Sequence, residues 1–227
     1  MSRIALILAL LAFSVPAAEP LRIVTLGDSI TKGVRPGVKA EETFAARLEA
    51  GLRAGGAGVS VVNVGIGGER TDMALKRLAK DVLAQKPAVV TIMYGTNDSY
   101  VDQGKSASRI TVEEYRANLA KLVDELRAAG IAPVLMTEPR WGKTARLNGA
   151  GEHSNVRLEQ YVAACRAVAK EKQVPLVDHF QHWTDAEEKG ADIGKWTTDQ
   201  CHPNAEGHRV LAELMLPVVR AALKPAL

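Results

Sequence analysis

Short runs rich in β-branched and aliphatic residues alternate along the chain with longer segments whose apolar residues recur every three or four positions, which predicts strands separated by helices. The predicted strands are Leu21 to Leu26, Val59 to Val64, Ala88 to Tyr94, Ala132 to Thr137 and Pro175 to Val177. Phe44, Leu48 and Leu52 mark one helix between them, and Tyr115, Leu119, Leu122, Val123 and Leu126 mark another. Thr111 and Glu114 form a capping box ahead of the second, and Gly130 stops it. The segment Asn155 to Lys172 carries the stripe Leu158, Val162, Cys165, Ala169. A last helix, capped by Asn204, runs through Val210, Leu211, Leu214, Val218 and Leu223. Five strands with intervening helices, and no repeat, low-complexity tract or Pro/Gly linker, predict an α/β protein: a single three-layer α/β/α sandwich around a five-stranded parallel sheet. In such a sheet the ligand crevice lies beyond the carboxyl ends of the strands, so the loops Lys32 to Lys39 and Arg140 to His153 should frame the site.

The amino terminus breaks this pattern. Arg3 precedes the apolar run Ile4 to Phe13, and Val15-Pro16-Ala17-Ala18 supplies the small residues of a cleavage site, so residues 1–17 are expected to be a secretory signal peptide and 18–227 the mature domain. The run is shorter than the roughly 20 residues of a membrane span, and the expected location is secreted or periplasmic. A hydrophobic share of 47% and a formal charge of +3, with the basic residues scattered, argue against a nucleic-acid partner and for a small or extended neutral ligand. The two cysteines, Cys165 and Cys201, fit either one disulfide or, for Cys165, an ordinary buried thiol on a helix stripe.

Four segments carry candidate chemistry. Ser29 stands in Gly27-Asp28-Ser29, directly after the first strand, where a glycine allows a tight turn and the hydroxyl meets the crevice. Gly67-Gly68 closes the second strand and can bring a backbone N–H close to a ligand; Arg70 occupies the place where a dinucleotide fingerprint needs its third glycine. Asn97, in Gly95-Thr96-Asn97-Asp98 after the third strand, has an amide able to donate to a developing negative charge. Asp199 and His202, three apart before the last helix, can set a carboxylate against Nδ1 of an imidazole whose Nε2 faces the serine. His179, His182 and Asp178 have no zinc-site spacing, so neither metal nor cofactor is expected. Each segment alone reads as turn chemistry; three successive strands ending in Ser, Gly-Gly and Asn converge on one crevice, the equipment of a serine esterase.

Together the four segments resemble, in order and across nearly the whole mature chain, the sequence blocks of the SGNH (GDSL) hydrolase superfamily. That resemblance implies a flavodoxin-like fold, Ser29 as nucleophile, His202 as base with Asp199 as its partner, and an oxyanion hole made of the Ser29 and Gly68 N–H groups and the Asn97 side chain. Ile30 replaces the leucine frequent in the first block. No G-x-S-x-G elbow of the α/β-hydrolase type occurs. For substrate, Trp141 and Trp196 in the crevice loops could stack on sugar rings or simply pack, and Arg140 could hold a substrate carboxylate or a helix end; with Asp28 they are the candidate lining residues. These features favour removal of small acyl groups from carbohydrate esters. A lysophospholipase or thioesterase of the same superfamily, or a non-catalytic glycan-binding module, are the alternatives.

Overall fold

Five parallel strands, β1 (Leu21–Gly27), β2 (Val59–Asn63), β3 (Val89–Met93), β4 (Ala132–Met136) and β5 (Leu176–Val177), lie in the order β2-β1-β3-β4-β5 in a computed structural model that describes residues 19–223. The expected signal peptide lies outside the described residues. The helices are α1 (Ser29–Lys32), α2 (Phe44–Ala54), α3 (Thr71–Arg77), α4 (Thr96–Ser99), α5 (Val112–Ala128), α6 (Ser154–Glu171), α7 (His179–Glu188) and α8 (Ala205–Leu223). None of them is long and apolar enough to cross a membrane.

Alternate residues of a strand point to opposite faces, and both faces here are apolar. Val24, Leu26, Val90, Ile92 and Leu135 pack against Leu119, Leu122 and Val123 of α5 and Tyr161 and Val168 of α6. Ile23, Val89, Met93, Val134 and Met136 pack against Phe44, Leu48 and Leu52 of α2 and Leu211, Met215 and Val219 of α8. This is the expected three-layer sandwich. It also decides between the two readings of the cysteines. Cys165 belongs to the first layer and Cys201 to the second, so the sheet stands between them and both are buried free thiols.

The predicted strands hold to within a residue at each end, and the capping box of α5 forms: Thr111 Oγ1 accepts from Glu114 N–H, and Glu114 Oε2 from Thr111 N–H, each at 3.1 Å. Besides the single-turn α1 and α4, two helices carry no clear apolar stripe in the sequence. One is α3, seven residues long; the other is α7, which Asp178 starts by accepting the Gln181 N–H at 3.1 Å. The chain leaves β1 toward β2 on one side and returns to β3 on the other. The crevice beyond β1 and β3 is therefore the topological switch point at which ligands bind in open α/β sheets.

Candidate active site

The loops at that switch point bring the four sequence segments together. Gly27 ends β1, and a Cβ there would stand 2.0 Å from Thr31 Oγ1 and 2.6 Å from Met93 O, so only glycine lets the chain turn so tightly against β3. Asp28 then caps the short α1, its Oδ1 accepting the Ile30 N–H at 2.8 Å, and leaves half-buried Ser29 at the rim.

On the far side of the crevice, the loop before α8 is folded by its own polar groups. Asp199 Oδ1 accepts the N–H groups of Cys201 (3.2 Å) and His202 (2.8 Å), and Asn204 Oδ1 accepts those of Glu206 and Gly207 to start α8. Thr197 and Pro203 pair across the loop's base. This fold brings His202 Nε2 to 2.9 Å from Ser29 Oγ, with Asp199 Oδ2 2.8 Å from His202 Nδ1. A carboxylate can only accept, so Nδ1 carries the imidazole proton and Nε2 offers its lone pair to the serine hydroxyl. Burial holds His202 below the ordinary imidazole range, Asp199 opposing and Arg35 adding to the effect. Burial works to raise Asp199, but the backbone and ring N–H of His202 and the Cys201 N–H outweigh it and hold the carboxyl low. The imidazole is therefore neutral, and its partner ionised, at neutral pH.

The two other predicted donors flank the serine. Gly67 lies against it, since a Cβ there would be 3.9 Å from Ser29 Cβ. Gly68 has φ +76°, the left-handed region that favours glycine, and its N–H has no protein acceptor among the described residues. Asn97 is clamped at both ends: Nδ2 donates to Asp28 Oδ2 at 2.7 Å, and Oδ1 accepts from Arg109 Nη1 at 3.2 Å. One N–H of the carboxamide is left for the crevice.

The candidate lining residues sit differently. Asp28 is fully buried beneath the serine, where it holds Asn97 from below rather than meeting substrate. Arg140 turns to α7, pairing with Glu187 at 3.1 Å, donating to Thr184 Oγ1 and covering the Phe180 ring. Trp196 packs edge-on against buried Trp183, ring centres 5.2 Å apart. Trp141 stacks on Tyr100 at 6.3 Å, and Arg109 covers the Tyr100 ring, so an aromatic rim leads away from Asn97.

Three residues at the site are absent from the sequence reading. Arg35, in the predicted framing loop Lys32 to Lys39, pairs with Asp199 Oδ2 at 2.8 Å. Arg109 grips Asp102 with both faces of its fork while holding Asn97. Glu69, buried beside Gly68, takes Arg77 and the Tyr94 hydroxyl and so ties the glycine loop to α3 and β3. Arg35 lies in a loop expected to frame the site; Arg109 and Glu69 carry no local pattern, because each acts through partners on other elements. Among the described residues no group of His, Cys, Asp or Glu is arranged to hold a metal ion.

A flavodoxin-like sheet whose motif-bearing loops meet at the β1–β3 switch point defines an SGNH-type hydrolase, a carboxylic ester hydrolase. Sequence comparison agrees and makes the assignment narrower. The chain belongs to the GDSL-like lipase/acylhydrolase family, whose sequence model matches residues 25–210. It is 32% identical over 188 residues to the uncharacterized lipoprotein YqeF of Bacillus subtilis, covering 73% of each chain. It is 28% identical over 172 residues to the isoamyl acetate-hydrolyzing esterase 1 homolog of Rattus norvegicus, covering 70% of this chain and 68% of that one. Among solved structures it resembles Axe2, an acetylxylan esterase from Geobacillus stearothermophilus, with a TM-score of 0.70 and 26% identity over 88% of this chain and 94% of the other. Solved catalytic mutants of Axe2 replace a serine, an aspartate and a histidine, the last two three positions apart.

Proposed function

We propose that the chain is a secreted serine esterase that removes small acyl groups, acetyl above all, from carbohydrate. Ser29 attacks the ester carbonyl while His202 Nε2 takes its proton; Asp199 keeps the imidazole in the required tautomer and stabilises its charged form. The oxyanion rests on the N–H groups of Ser29 and Gly68 and on Asn97 Nδ2. His202 then returns the proton to the departing alcohol, and a water activated by the same base releases the acid from the acyl-enzyme.

The observation that carries this reading is the unbroken relay from Ser29 Oγ through His202 to Asp199, with contacts of 2.9 and 2.8 Å. The aspartate–histidine spacing of the Axe2 catalytic mutants, repeated here by Asp199 and His202, supports the same roles. For the substrate, the support is the aromatic rim of Trp141 and Tyr100 beside Asn97, together with the acetylxylan esterase activity of the structural relative. For secretion it is the apolar run after Arg3 and the lipoprotein character of the Bacillus subtilis relative.

Release of acetate from acetylated xylo-oligosaccharides, run beside lysophospholipids and acyl thioesters, tests the substrate. The acetylated sugars should turn over fastest, and a preference for either of the others would replace this substrate class. Trapping of an acetyl group on Ser29, seen by mass spectrometry and absent in Ser29→Ala, tests the mechanism; hydrolysis at full rate by Ser29→Ala would end it.

A further inference from the structure

Behind Ser29, on the side away from solvent, the ends of β1 and β4 bring two carboxyl groups together. Asp28 is 0% exposed and Glu138 1%. Glu138 reaches this position past Gly95, its Cγ standing 3.5 Å from where a side chain there would begin. Gly27, Met93 and Met136 stand in register across β1, β3 and β4, so Glu138 and Asp28 approach each other over side-chain-free Gly95, and each carboxyl acts on the other. Their other contacts are unequal. Asp28 already receives two N–H donors, from Ile30 and from Asn97 Nδ2. Neither Glu138 oxygen has a donor at hydrogen-bond geometry among the described residues.

Two ionised carboxylates are acceptors only and cannot bond to each other, and burying both charges side by side would leave each uncompensated. One shared proton removes both difficulties. Burial raises Asp28 as well, to about 7, but its two N–H donors favour the anion there while Glu138 has none, so the shared proton belongs to Glu138. We propose that Glu138 is held as a neutral carboxylic acid that donates its O–H to Asp28, and so acts as a positioning residue: through Asp28 it fixes the Asn97 carboxamide with one N–H turned to the oxyanion.

This inference rests on the oxyanion role given to Asn97 above. The groups that face Glu138 agree with it. Asp28 comes from the end of β1, Asp98 from α4, Tyr115 from α5, Cys165 from α6 and Cys201 from the loop before α8. All are neutral or negative and none supplies a cation. Burial first, and then the Asp28 and Asp98 charges, push the Glu138 carboxyl well above its ordinary range, against a weaker pull from the Thr96 amide. When Glu138 loses its proton to solvent at alkaline pH, it becomes a second acceptor facing Asp28, and the frame that holds Asn97 is released.

Glu138→Leu and Glu138→Gln separate this role from simple packing. With a short aryl acetate as substrate, Glu138→Leu should lose about 10²-fold in kcat with KM little changed, the loss of an oxyanion donor's alignment. The glutamine amide can donate to Asp28 at every pH. Glu138→Gln should therefore stay within about tenfold of the wild type and lack the alkaline fall in kcat expected of the wild type. Infrared spectra of the wild type at neutral pH should contain a buried protonated-carboxyl band, shifted in D2O and missing from Glu138→Gln. The proposal is overturned if folded Glu138→Gln is as impaired as Glu138→Leu, if its alkaline fall persists, or if the infrared band does not change. If Glu138→Leu fails to fold, the glutamine variant and the infrared band decide alone. Failure of the esterase reading is distinguishable, because Ser29→Ala would then keep its activity while the infrared band still reported the proton.

Discussion

Replacing Arg35 with alanine tests how the relay is tuned. Arg35 Nη2 and His202 Nδ1 each stand 2.8 Å from the same Asp199 oxygen, so the two nitrogens are no more than about 5.6 Å apart. Unit charges at that separation repel by roughly 0.7 kcal/mol in a water-like dielectric, and by several times more where screening is weak. The Arg35 and His202 side chains are 27% and 25% exposed, so solvent reaches both and the lower figure sets the least shift to expect. At about 1.4 kcal/mol per pH unit, it amounts to roughly half a pH unit. The sign follows from the charges: Arg35 disfavours the imidazolium, so removing it makes His202 easier to protonate. The acid limb of kcat/KM should therefore move to higher pH by about half a unit. The variant would be slower than the wild type on the acid side and equal to it once His202 is neutral in both. Initial rates on p-nitrophenyl acetate, followed at the isosbestic wavelength and at constant ionic strength, measure this directly. Near 1 M salt, where the Debye length is about 3 Å, the two profiles should draw together. An acid limb that stays in place, or moves to lower pH, would refute the claim that Arg35 acts on the base through charge.

Other outcomes follow from the same geometry. Asn97→Ala should fold normally and lose about 10² to 10³ in kcat, and near-full turnover would deny Asn97 its oxyanion role. In the wild type the acid limb should lie on the acid side of the ordinary imidazole value of about 6.5, because burial holds His202 low; a limb above it would contradict that environment. His179 is buried with neither ring nitrogen partnered among the described residues, and burial pushes it down to about 3. The unfolded chain protonates it near pH 6.5, so its contribution to stability is complete above that pH and is lost as pH falls toward 3. His179→Leu should flatten the acid side of the melting-temperature curve; an unchanged slope from neutral pH to about pH 4 would assign the acid sensitivity elsewhere. Burial pushes Cys165 up to about 12 and Cys201 well above the ordinary thiol range. Iodoacetamide should then label neither until the protein is denatured, and rapid labelling of the native protein would show that one is accessible.

Much of the fold was legible because it depends on local periodicity. Each of the predicted strands is a short apolar run, and each of the long helices α2, α5, α6 and α8 buries a stripe visible in the sequence. Four helices lie outside that signal: α1 and α4 are single turns of four residues, and α3 and α7 lack the stripe for different reasons. Short α3 is held by a distant cap, since Asp98 Oδ1 accepts both the N–H and the hydroxyl of Thr71, its first residue. In α7 the buried positions His179, Phe180 and Trp183 include an imidazole that reads as polar, although the environment keeps it neutral. The cysteine question was closed only by three dimensions, because a spacing cannot tell which side of a sheet each thiol lies on.

The candidate site divides along the same line. Ser29, Gly68, Asn97, Asp199 and His202 stand in short motifs at strand or helix ends, where turn chemistry and position already restrict what a side chain can face. Asp28 does not yield to that argument, because its role depends on a partner 69 positions away in Asn97. Glu138 yields still less. An acid next to a proline after a strand reads as a solvated loop residue, and its burial follows only from the close approach that Gly95 permits. Buried carboxyl groups seldom add stability, since well-packed apolar residues in their place are commonly as stable or more so. Asp28, Asp98 and Glu138 are nonetheless buried together, each of the first two charges acting on Glu138, beneath the proposed oxyanion donors. Preorganisation gives that placement a physical reason: a donor that had to turn into place as negative charge developed would spend part of its stabilisation on reorienting. A carboxamide held from below by a carboxylate, and from the side by Arg109, is already aligned before substrate arrives. On this reasoning the cluster serves the alignment of the reaction more than the stability of the fold, and alkaline pH should erode kcat before it melts the sheet.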